Sequence, residues 1–318
     1  MKIVVLDGRT LNDDRQAWSG LDAFGDVSYY DVSAPEAVLP RASGAEVLII
    51  NKCPLRAEVI EKLPDLRFVA VTATGFDCVD VDAARARGIV VSNVRGYSTD
   101  SVAQVTFALL LELTLQVGLH SDAVHAGEWS SQPDFSIRKS PLIELAGKTM
   151  GIVGLGQIGR RVAEIAQAFG MKVIAHRPSG KPADPSDPIP ALGLDALFEQ
   201  ADVVSLHCPL TPQTKEMVNR DRLRRAKPSA FLINTGRGGL VVEQDLADAL
   251  NEGRIAGAGL DVVTREPITT DNPLLTARNC IITPHIAWAT SEARERLMEA
   301  TVANVAAYAA GKPINVVG

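Results

Sequence analysis

Two series of short β-branched runs, each interleaved with helical segments, limit the folds open to this chain more than any other feature. The first series is IVVL at 3–6, VLII at 47–50, FVAVT at 68–72 and IVVSN at 89–93. The second series is TMGIVG at 149–154, KVIAH at 172–176, VVSLHC at 203–208, FLINT at 231–235 and GAGLDV at 257–262. Continuous apolar strands that alternate with helices are typical of parallel sheets covered on both faces. The pattern predicts an α/β fold with two doubly wound parallel-sheet domains.

The domain boundaries follow from the start of the second series and from the end of the chain. The 318 residues suffice for two domains, each with a sizeable apolar interior, and two domains imply a cleft. The last apolar-periodic stretch, roughly 291–310, predicts a helix that ends at Gly311 and Pro313, and nothing after it could form another domain. We therefore expect the end of the chain to return to the first domain. The predicted domains are residues 1–98 with 290–318, and residues 99–289.

The composition excludes several classes of function. Hydrophobic residues make up 46% and charged residues 22% of the chain, which is the balance of a globular protein. The formal net charge is −6 and charges of both signs are interspersed, so neither nucleic acid nor a membrane is an expected partner. The apolar run before Asp7, IVVL at 3–6, has only four residues, too few for the apolar region of a signal peptide, which favours the cytosol. The expected partner is a small molecule.

The cysteines predict neither a disulfide framework nor a metal site. There is no CxxC pair, and no histidines lie at metal spacing from Cys53, Cys78, Cys208 and Cys280. We interpret all four as reduced thiols in the core, and we expect no bound metal.

One long apolar run, Val102–Leu119, needs a separate explanation. Three polar residues interrupt it, Gln104, Glu112 and Gln116, and these would be costly in lipid. The run therefore predicts a buried interdomain or interface helix. The following segment, 120–146, lacks a clean period and is interpreted as an excursion over a neighbouring surface.

The sequence GLGQIG at 154–159 predicts a dinucleotide site. It follows the strand TMGIVG and opens the helical stretch RRVAEIAQAFG. Gly154 suits a tight turn, Gly156 lets the backbone approach a pyrophosphate, and Gly159 allows close packing of helix and strand. Gln157 and Ile158 complete the turn at the helix N-terminus. The alternative, a plain glycine-rich turn, is weakened by the strand-turn-helix context, so we predict a Rossmann domain at 99–289 inserted into a smaller, flavodoxin-like substrate domain.

The residues after the second strand of this domain bear on the choice of coenzyme. NAD-selective sites usually carry an acid about 20 positions past the glycines, whereas this chain has Arg177 there. His176, Arg177 and Ser179 form the expected contact set, and the first acid is Asp184. A 2′-phosphate bound at this strand end would contact a positively charged side chain, so we predict NADP(H) in preference to NAD(H). The alternative is that Arg177 stacks on the adenine or points into solvent.

An arginine, a carboxylate and a histidine each follow a later strand, where ligands of open α/β sheets bind. FLINTGRGG contains Arg237, GLDVVTREP contains Glu266 and IITPHIAWAT contains His285. Hydride transfer to a keto acid requires a fixed cation, a proton donor and a group that orients the donor. Taken singly, each has a commoner structural explanation, as a surface arginine, a turn glutamate or a structural histidine.

The order, spacing and flanks of these residues resemble the D-isomer-specific 2-hydroxyacid dehydrogenases, and the resemblance spans almost the whole chain. The matching signatures are HCPLTPQT at 207–214, INTGRGGLVVEQDL at 233–246 and TPHIAWAT at 283–290. Four further segments resemble the glycerate dehydrogenase (hydroxypyruvate reductase) branch: NKCPL at 51–55, TATGFDCVD at 72–80, GYSTDSVAQ at 96–104 and ELAGKTMGIVGLGQIG at 144–159. The implied reaction is hydroxypyruvate or glyoxylate reduction. Arg177 departs from the family, because many relatives have aspartate there.

The resemblance also implies roles for individual residues. Arg237 would hold the carboxylate and keto oxygen of the substrate, backbone amides near Thr74 and Gly75 would take the carboxylate, and His285, paired with Glu266, would donate the proton. The remaining implied substrate contacts are Lys52, Ala73 and Trp288. The implied coenzyme contacts, besides the glycine turn, are Val102, Cys208, Pro209, Thr214, Thr235, Gly236 and Asp261. A homodimer built around the helix from about Ser101 and the excursion after it is implied as well.

Two related protein classes serve as alternatives. Formate dehydrogenases of the same fold pair the histidine with a glutamine, whereas this chain has Glu266, so formate is not expected. A catalytically weak, NAD(H)-sensing protein similar to transcriptional corepressors could share the fold and even the three residues. Against it, the chain has no long polar tail and no low-complexity segment. Turnover of a 2-keto acid would identify a dehydrogenase, whereas dinucleotide binding without turnover would identify the sensing protein.

Overall fold

The computed structural model describes residues 1–12, 15–178 and 187–318. The chain divides into two compact units, residues 1–98 with 289–318, and residues 99–288. Each unit is built on one parallel sheet.

The first unit contains a five-stranded sheet within its described residues. Its elements up to residue 98 are β1 (Lys2–Val5), a 3₁₀ helix (Gly8–Thr10), a second 3₁₀ helix (Arg15–Phe24), β2 (Asp26–Tyr29), α1 (Pro35–Ala42), β3 (Val47–Ile50), α2 (Ala57–Ile60), β4 (Phe68–Val71), α3 (Val81–Ala86) and β5 (Val90–Ser92). The strand order is β2-β1-β3-β4-β5 and every pairing is parallel. β3 and β4 are buried along their whole length, as their unbroken apolar sequences predict.

The second unit contains a six-stranded parallel sheet, again counting only described residues. Its elements are α4 (Thr99–Leu115), α5 (Val117–His125), β6 (Thr149–Val153), α6 (Gln157–Ala168), β7 (Lys172–His176), α7 (Leu194–Gln200), β8 (Val203–Leu206), α8 (Arg220–Arg225), β9 (Phe231–Asn234), a 3₁₀ helix (Gly238–Leu240), α9 (Glu243–Asn251), β10 (Gly257–Leu260), another 3₁₀ helix (Pro273–Thr276) and β11 (Cys280–Ile282). The strand order is β11-β10-β9-β8-β6-β7. The order reverses at β6, so the carboxyl ends of β6 and β8 form the crevice where such sheets bind ligands.

Apolar side chains cover both faces of the second sheet, which confirms the doubly wound prediction. One cluster joins β8, β9 and β10 to α7, α8 and α9, and another joins β6, β7 and β9 to α4 and α6. Next to β7 the sheet is extended by a single parallel bridge, Ala175 to Ala191. The sequence did not predict this short extension, because one bridging residue leaves no apolar run.

The long apolar run forms two helices rather than one. Gln116 adopts the left-handed conformation (φ 47°, ψ 50°) and ends α4, and α5 continues at an angle of 56°. The prediction of one helix from 102 to 119 was therefore wrong, because glutamine carries no helix-breaking signal in sequence. α4 packs within its own unit against α6, β9 and β10. Among the described residues no single helix is long and apolar enough to cross a membrane, and only the bent pair α4 and α5 together reaches that length and composition.

The chain returns to the first unit with α10 (Ser291–Ala309), as the sequence predicts. Thr290 caps the helix by accepting a hydrogen bond from the amide of Ala293. Tyr308 near its end stacks on Phe68 of β4, with the ring centroids 4.5 Å apart. The helix therefore covers the second face of the first sheet. All four cysteines of the protein are free thiols.

Candidate active site

The glycine turn after β6 has an open centre and closely packed ends. Gly154 has φ +98°, and a Cβ there would lie 2.7 Å from the carbonyl carbon of His207, at the neighbouring strand end. A Cβ on Gly159 would overlap the carbonyl oxygen of Gly154. Around Gly156, in contrast, a Cβ would meet nothing within 4 Å. Two glycines are required by packing, and the third leaves space for a ligand against the backbone.

The N-terminus of α6 faces this open centre without a side-chain cap. Gly156 is the N-cap and supplies no side chain, and Gln157 is exposed while Ile158 is half-buried. The first amides of a helix lack partners inside the helix and attract anions. The turn therefore fits the pyrophosphate of a dinucleotide, in agreement with the sequence prediction.

The end of β7 carries a cluster of two arginines and one aspartate that the sequence did not predict. His176 donates from Nδ1 to the carbonyl oxygen of Leu192 at 3.0 Å. Nη2 of Arg177 lies 2.5 Å from Oδ2 of Asp187, and Nη2 of Arg160 lies 2.8 Å from the same oxygen. A carboxylate is thus present beside Arg177, contrary to the expectation drawn from sequence alone. The predicted contact Ser179 lies outside the described residues.

His285 and Glu266 form a hydrogen-bonded pair. Nδ1 of His285 donates to Oε2 of Glu266 at 2.7 Å, which leaves Nε2 as the ring atom that can exchange a proton with a substrate. Oε1 of Glu266 accepts from the amide of Val263 at 3.3 Å. The side chains of the pair are partly exposed, 26% for the histidine and 36% for the glutamate. The pair therefore combines an oriented imidazole with access from solvent.

Asp261 holds the loop on which His285 lies. Its Oδ1 accepts from Thr283 Oγ1 at 2.6 Å and from the amide of Ile286 at 2.9 Å, and its Oδ2 accepts from the amide of Ala287 at 2.8 Å. Burial raises the pKa of Asp261, and these hydrogen bonds oppose the rise. His285 itself has φ +55°, a strained conformation for a residue with a side chain. Asp261, which resemblance assigns to the coenzyme, thus also fixes the histidine.

Arg237 follows β9 on a loop that is fixed on both sides. Asn234 donates from Nδ2 to the carbonyl oxygen of Arg237 at 2.9 Å and accepts at Oδ1 from the amide of Gly236 at 3.0 Å. A Cβ on Gly238 would overlap the backbone of Val263, in the loop that leads to Glu266. The three predicted catalytic residues therefore lie on loops that contact one another, Arg237 next to the loop of Glu266 and Glu266 bonded to His285.

The coenzyme contacts implied by resemblance lie at or near the same edge. Thr214 donates from Oγ1 to the carbonyl oxygen of Pro209 at 2.7 Å, which closes the loop after Cys208. Thr235 lies 3.2 Å from Thr106 of α4 through their hydroxyl oxygens. Val102 is 6% exposed. Trp288, which was predicted to contact the substrate, is half-buried.

The substrate contacts predicted in the first unit lie after β3 and β4, on loops held by buried polar groups. Asp7 accepts from the amides of Asn51, Lys52 and Cys53 at 2.7, 2.6 and 2.9 Å. Asn93 donates from Nδ2 to the carbonyl oxygen of Thr74 at 2.7 Å. Lys52 and Thr74 are exposed, Gly75 is half-buried and Ala73 is buried.

Sequence reasoning missed Asp7 and Asn93 as supports of these two loops. Each directly follows a strand, after IVVL and in IVVSN, so the position was a usable signal.

Comparison with known proteins identifies a family for this chain. A family model described as D-isomer specific 2-hydroxyacid dehydrogenase, NAD binding domain, matches residues 107–287. The chain is 49% identical over 320 residues to hydroxypyruvate reductase of Blautia hydrogenotrophica, covering 100% of this chain and 99% of that protein. It is 41% identical over 318 residues to glycerate dehydrogenase of Methylorubrum extorquens, covering 99% and 98%. The solved NADPH-dependent glyoxylate/hydroxypyruvate reductase of Sinorhizobium meliloti, in complex with NADP and malonate, matches with a TM-score of 0.87 and 29% identity, covering 100% and 96%.

Proposed function

Because this chain belongs to the D-isomer-specific 2-hydroxyacid dehydrogenases, we propose that it reduces hydroxypyruvate, and glyoxylate, to the corresponding 2-hydroxy acid with a nicotinamide coenzyme. The names of the relatives with 49% and 41% identity support this substrate class. The observation that carries the proposal is the 2.7 Å hydrogen bond between His285 and Glu266 on the same unit as the glycine turn. The relatives named above are enzymes, and none of these observations favours the corepressor-like alternative.

The proposed reaction needs one hydride and one proton at the keto group. A bound nicotinamide coenzyme supplies the hydride to the carbonyl carbon. His285 donates the proton from Nε2 to the carbonyl oxygen, while Glu266 keeps Nδ1 protonated and stabilises the imidazolium before transfer. Arg237 contributes a fixed positive charge for the carboxylate and the developing negative oxygen. In the reverse direction the neutral imidazole accepts the hydroxyl proton.

Substrate selection is assigned to the loops of the first unit. We propose that the amides at Thr74 and Gly75 bind the substrate carboxylate, with Lys52 and Ala73 as further contacts. Asn93 and Asp7 support the proposal, because their hydrogen bonds fix the two loops before any ligand binds.

For the coenzyme we propose NADP(H) in preference to NAD(H). Arg177 follows the second strand of the domain, where a 2′-phosphate binds in this fold, and Arg160 of α6 shares the carboxylate of Asp187 with it. The NADPH dependence stated for the S. meliloti relative supports the same choice.

For the assembly we propose a homodimer through α5 and the segment after it. Large apolar side chains are exposed there: Val117 (62%), Leu119 (43%), Val124 (43%), Trp129 (47%), Phe135 (91%) and Leu142 (51%). Contiguous exposed apolar side chains mark contact surfaces between proteins. Sedimentation velocity of the purified chain measures the stoichiometry, and a monomer at micromolar concentration would contradict the assignment.

One experiment tests the proposed reaction directly. Initial rates are measured on the purified chain with hydroxypyruvate, glyoxylate and pyruvate, each with NADPH and with NADH. We expect the highest kcat/KM with hydroxypyruvate and NADPH. Coenzyme binding without turnover of any of the three acids would instead favour the corepressor-like alternative.

A further inference from the structure

The cluster at the end of β7 contains a carboxylate from a residue ten positions farther along the chain. Oδ2 of Asp187 is shared by the guanidinium groups of Arg177 at 2.5 Å and Arg160 at 2.8 Å. Oδ1 accepts from the amide of Ile189 at 3.2 Å. The Asp187 side chain is only 2% exposed, whereas the side chains of Arg177 and Arg160 are 20% and 48% exposed. Both cations are therefore more exposed than the anion that they share.

The hydrogen bonds to Asp187 keep its carboxylate ionised at neutral pH. The donors, Arg160 first, hold the pKa of Asp187 below its ordinary value. The cluster thus carries two positive charges and one negative charge. An anion that binds to the arginines gains their attraction and also meets the repulsion of Asp187.

We propose that Asp187 is a specificity-determining residue that weakens 2′-phosphate binding and allows NAD(H) as a second coenzyme. The inference rests on the proposed use of a nicotinamide coenzyme at the glycine turn. A 2′-phosphate must share Arg177 and Arg160 with a carboxylate of like charge. A 2′-hydroxyl brings no charge, so it does not meet this repulsion. The preference for NADP(H) is therefore smaller than two arginines alone would give.

A different role for the same carboxylate predicts the opposite result. If Asp187 acts only as an anchor that orients the two guanidinium groups, its removal must weaken 2′-phosphate binding. If repulsion by the Asp187 carboxylate dominates, removal of its charge must strengthen 2′-phosphate binding. One like charge a few ångströms away at a partly exposed site changes the affinity by roughly tenfold. The sign of the change separates the two roles.

The test uses binding of coenzyme fragments, which does not depend on turnover. Dissociation constants of ADP-ribose and 2′-phospho-ADP-ribose are measured by calorimetry for the wild type and for Asp187→Asn. We expect the ratio of the two constants to shift by about tenfold in favour of the 2′-phosphate. The control is Asp195→Asn, since Asp195 pairs with Arg222 at 3.1 Å and with Arg225 at 3.8 Å on α8. This control variant removes the same charge at a position outside the cluster. Its ratio of the two dissociation constants should equal that of the wild type. An unchanged or reduced preference for the 2′-phosphate in Asp187→Asn overturns the proposal.

A second variant keeps the proposal testable if Asp187→Asn folds poorly. Arg160 is half exposed, so Arg160→Gln leaves a neutral pair of Arg177 and Asp187 with little structural cost. We expect it to lose at least tenfold in 2′-phospho-ADP-ribose affinity, with ADP-ribose affinity unchanged. If the ratio of the two dissociation constants is the same as in the wild type, the cluster does not contact the 2′-phosphate, and this result also overturns the proposal. Failure of the wild type to bind either fragment would instead reject the proposed coenzyme itself.

Discussion

His207 makes the stability of the second unit depend on pH, and one substitution tests this. The residue follows β8, and its Nε2 lies 2.7 Å from Oγ of Ser205. Removal of the imidazole from water lowers the pKa of His207 to about 4, from 6.5 for a solvated histidine. The unfolded chain therefore binds this proton at a higher pH than the folded chain. The resulting penalty is absent above the unfolded value and grows as the pH falls from 6.5 towards 4.

The size of the penalty follows from the difference between the two pKa values. One unit corresponds to about 1.4 kcal/mol, so the full loss of unfolding free energy, reached below the folded-state pKa, is about 3 kcal/mol. At about pH 5 the same relation gives a loss of about 2 kcal/mol, and at about pH 7.5 the loss is close to zero. A domain has about 5–15 kcal/mol of total stability, so the effect is measurable.

The assay compares the wild type with His207→Gln, because glutamine stays neutral and its amide can still bond to Ser205. Free energies of unfolding in urea are measured by circular dichroism at about pH 7.5 and about pH 5. The wild type should lose about 2 kcal/mol more than the variant over this interval. Equal pH dependence in the wild type and His207→Gln would refute the reasoning.

Three further substitutions test the site. His285→Ala should lower kcat for reduction by at least 100-fold while the dissociation constant of the coenzyme stays constant, because it removes the proton donor and leaves the glycine turn intact; a wild-type kcat would exclude the role. Glu266→Gln should lower kcat for reduction by about tenfold or more, because a neutral amide replaces the carboxylate that accepts from Nδ1 of His285 at 2.7 Å, and an unchanged kcat would contradict the pairing. Arg177→Asp should shift the ratio of kcat/KM values from NADPH towards NADH, by about tenfold or more, and a constant ratio would show that Arg177 does not contact the 2′-phosphate.

The sequence predicts those features of the fold that arise from local patterns. β8 (VVSL) and β9 (FLIN) each contain three apolar residues out of four and are buried throughout, so both strands are predicted directly from their sequences. The glycine turn is equally local, since strand, turn and helix are contiguous. The break at Gln116 could not be predicted, because glutamine is not a residue type that favours its left-handed backbone conformation.

The sequence could not predict the contacts in the site between residues that are far apart along the chain. Asp187 reaches Arg177 and Arg160 across residues that have no clear periodicity, and no motif pairs an arginine with an acid ten positions away. Likewise, Asp261 was assigned to the coenzyme by resemblance, whereas its three hydrogen bonds to the His285 loop are visible only in the folded chain.

The contact of Gly238 with Val263 joins the loop that carries Arg237 to the loop that carries Glu266. The backbone segments touch so closely that even one methyl group has no room between them. An alanine at Gly238 would force these two backbone segments apart, and would displace the loops that carry Arg237 and Glu266 together. Attempts to widen the specificity of this protein should therefore leave that position alone and vary the exposed loops after β3 and β4 instead.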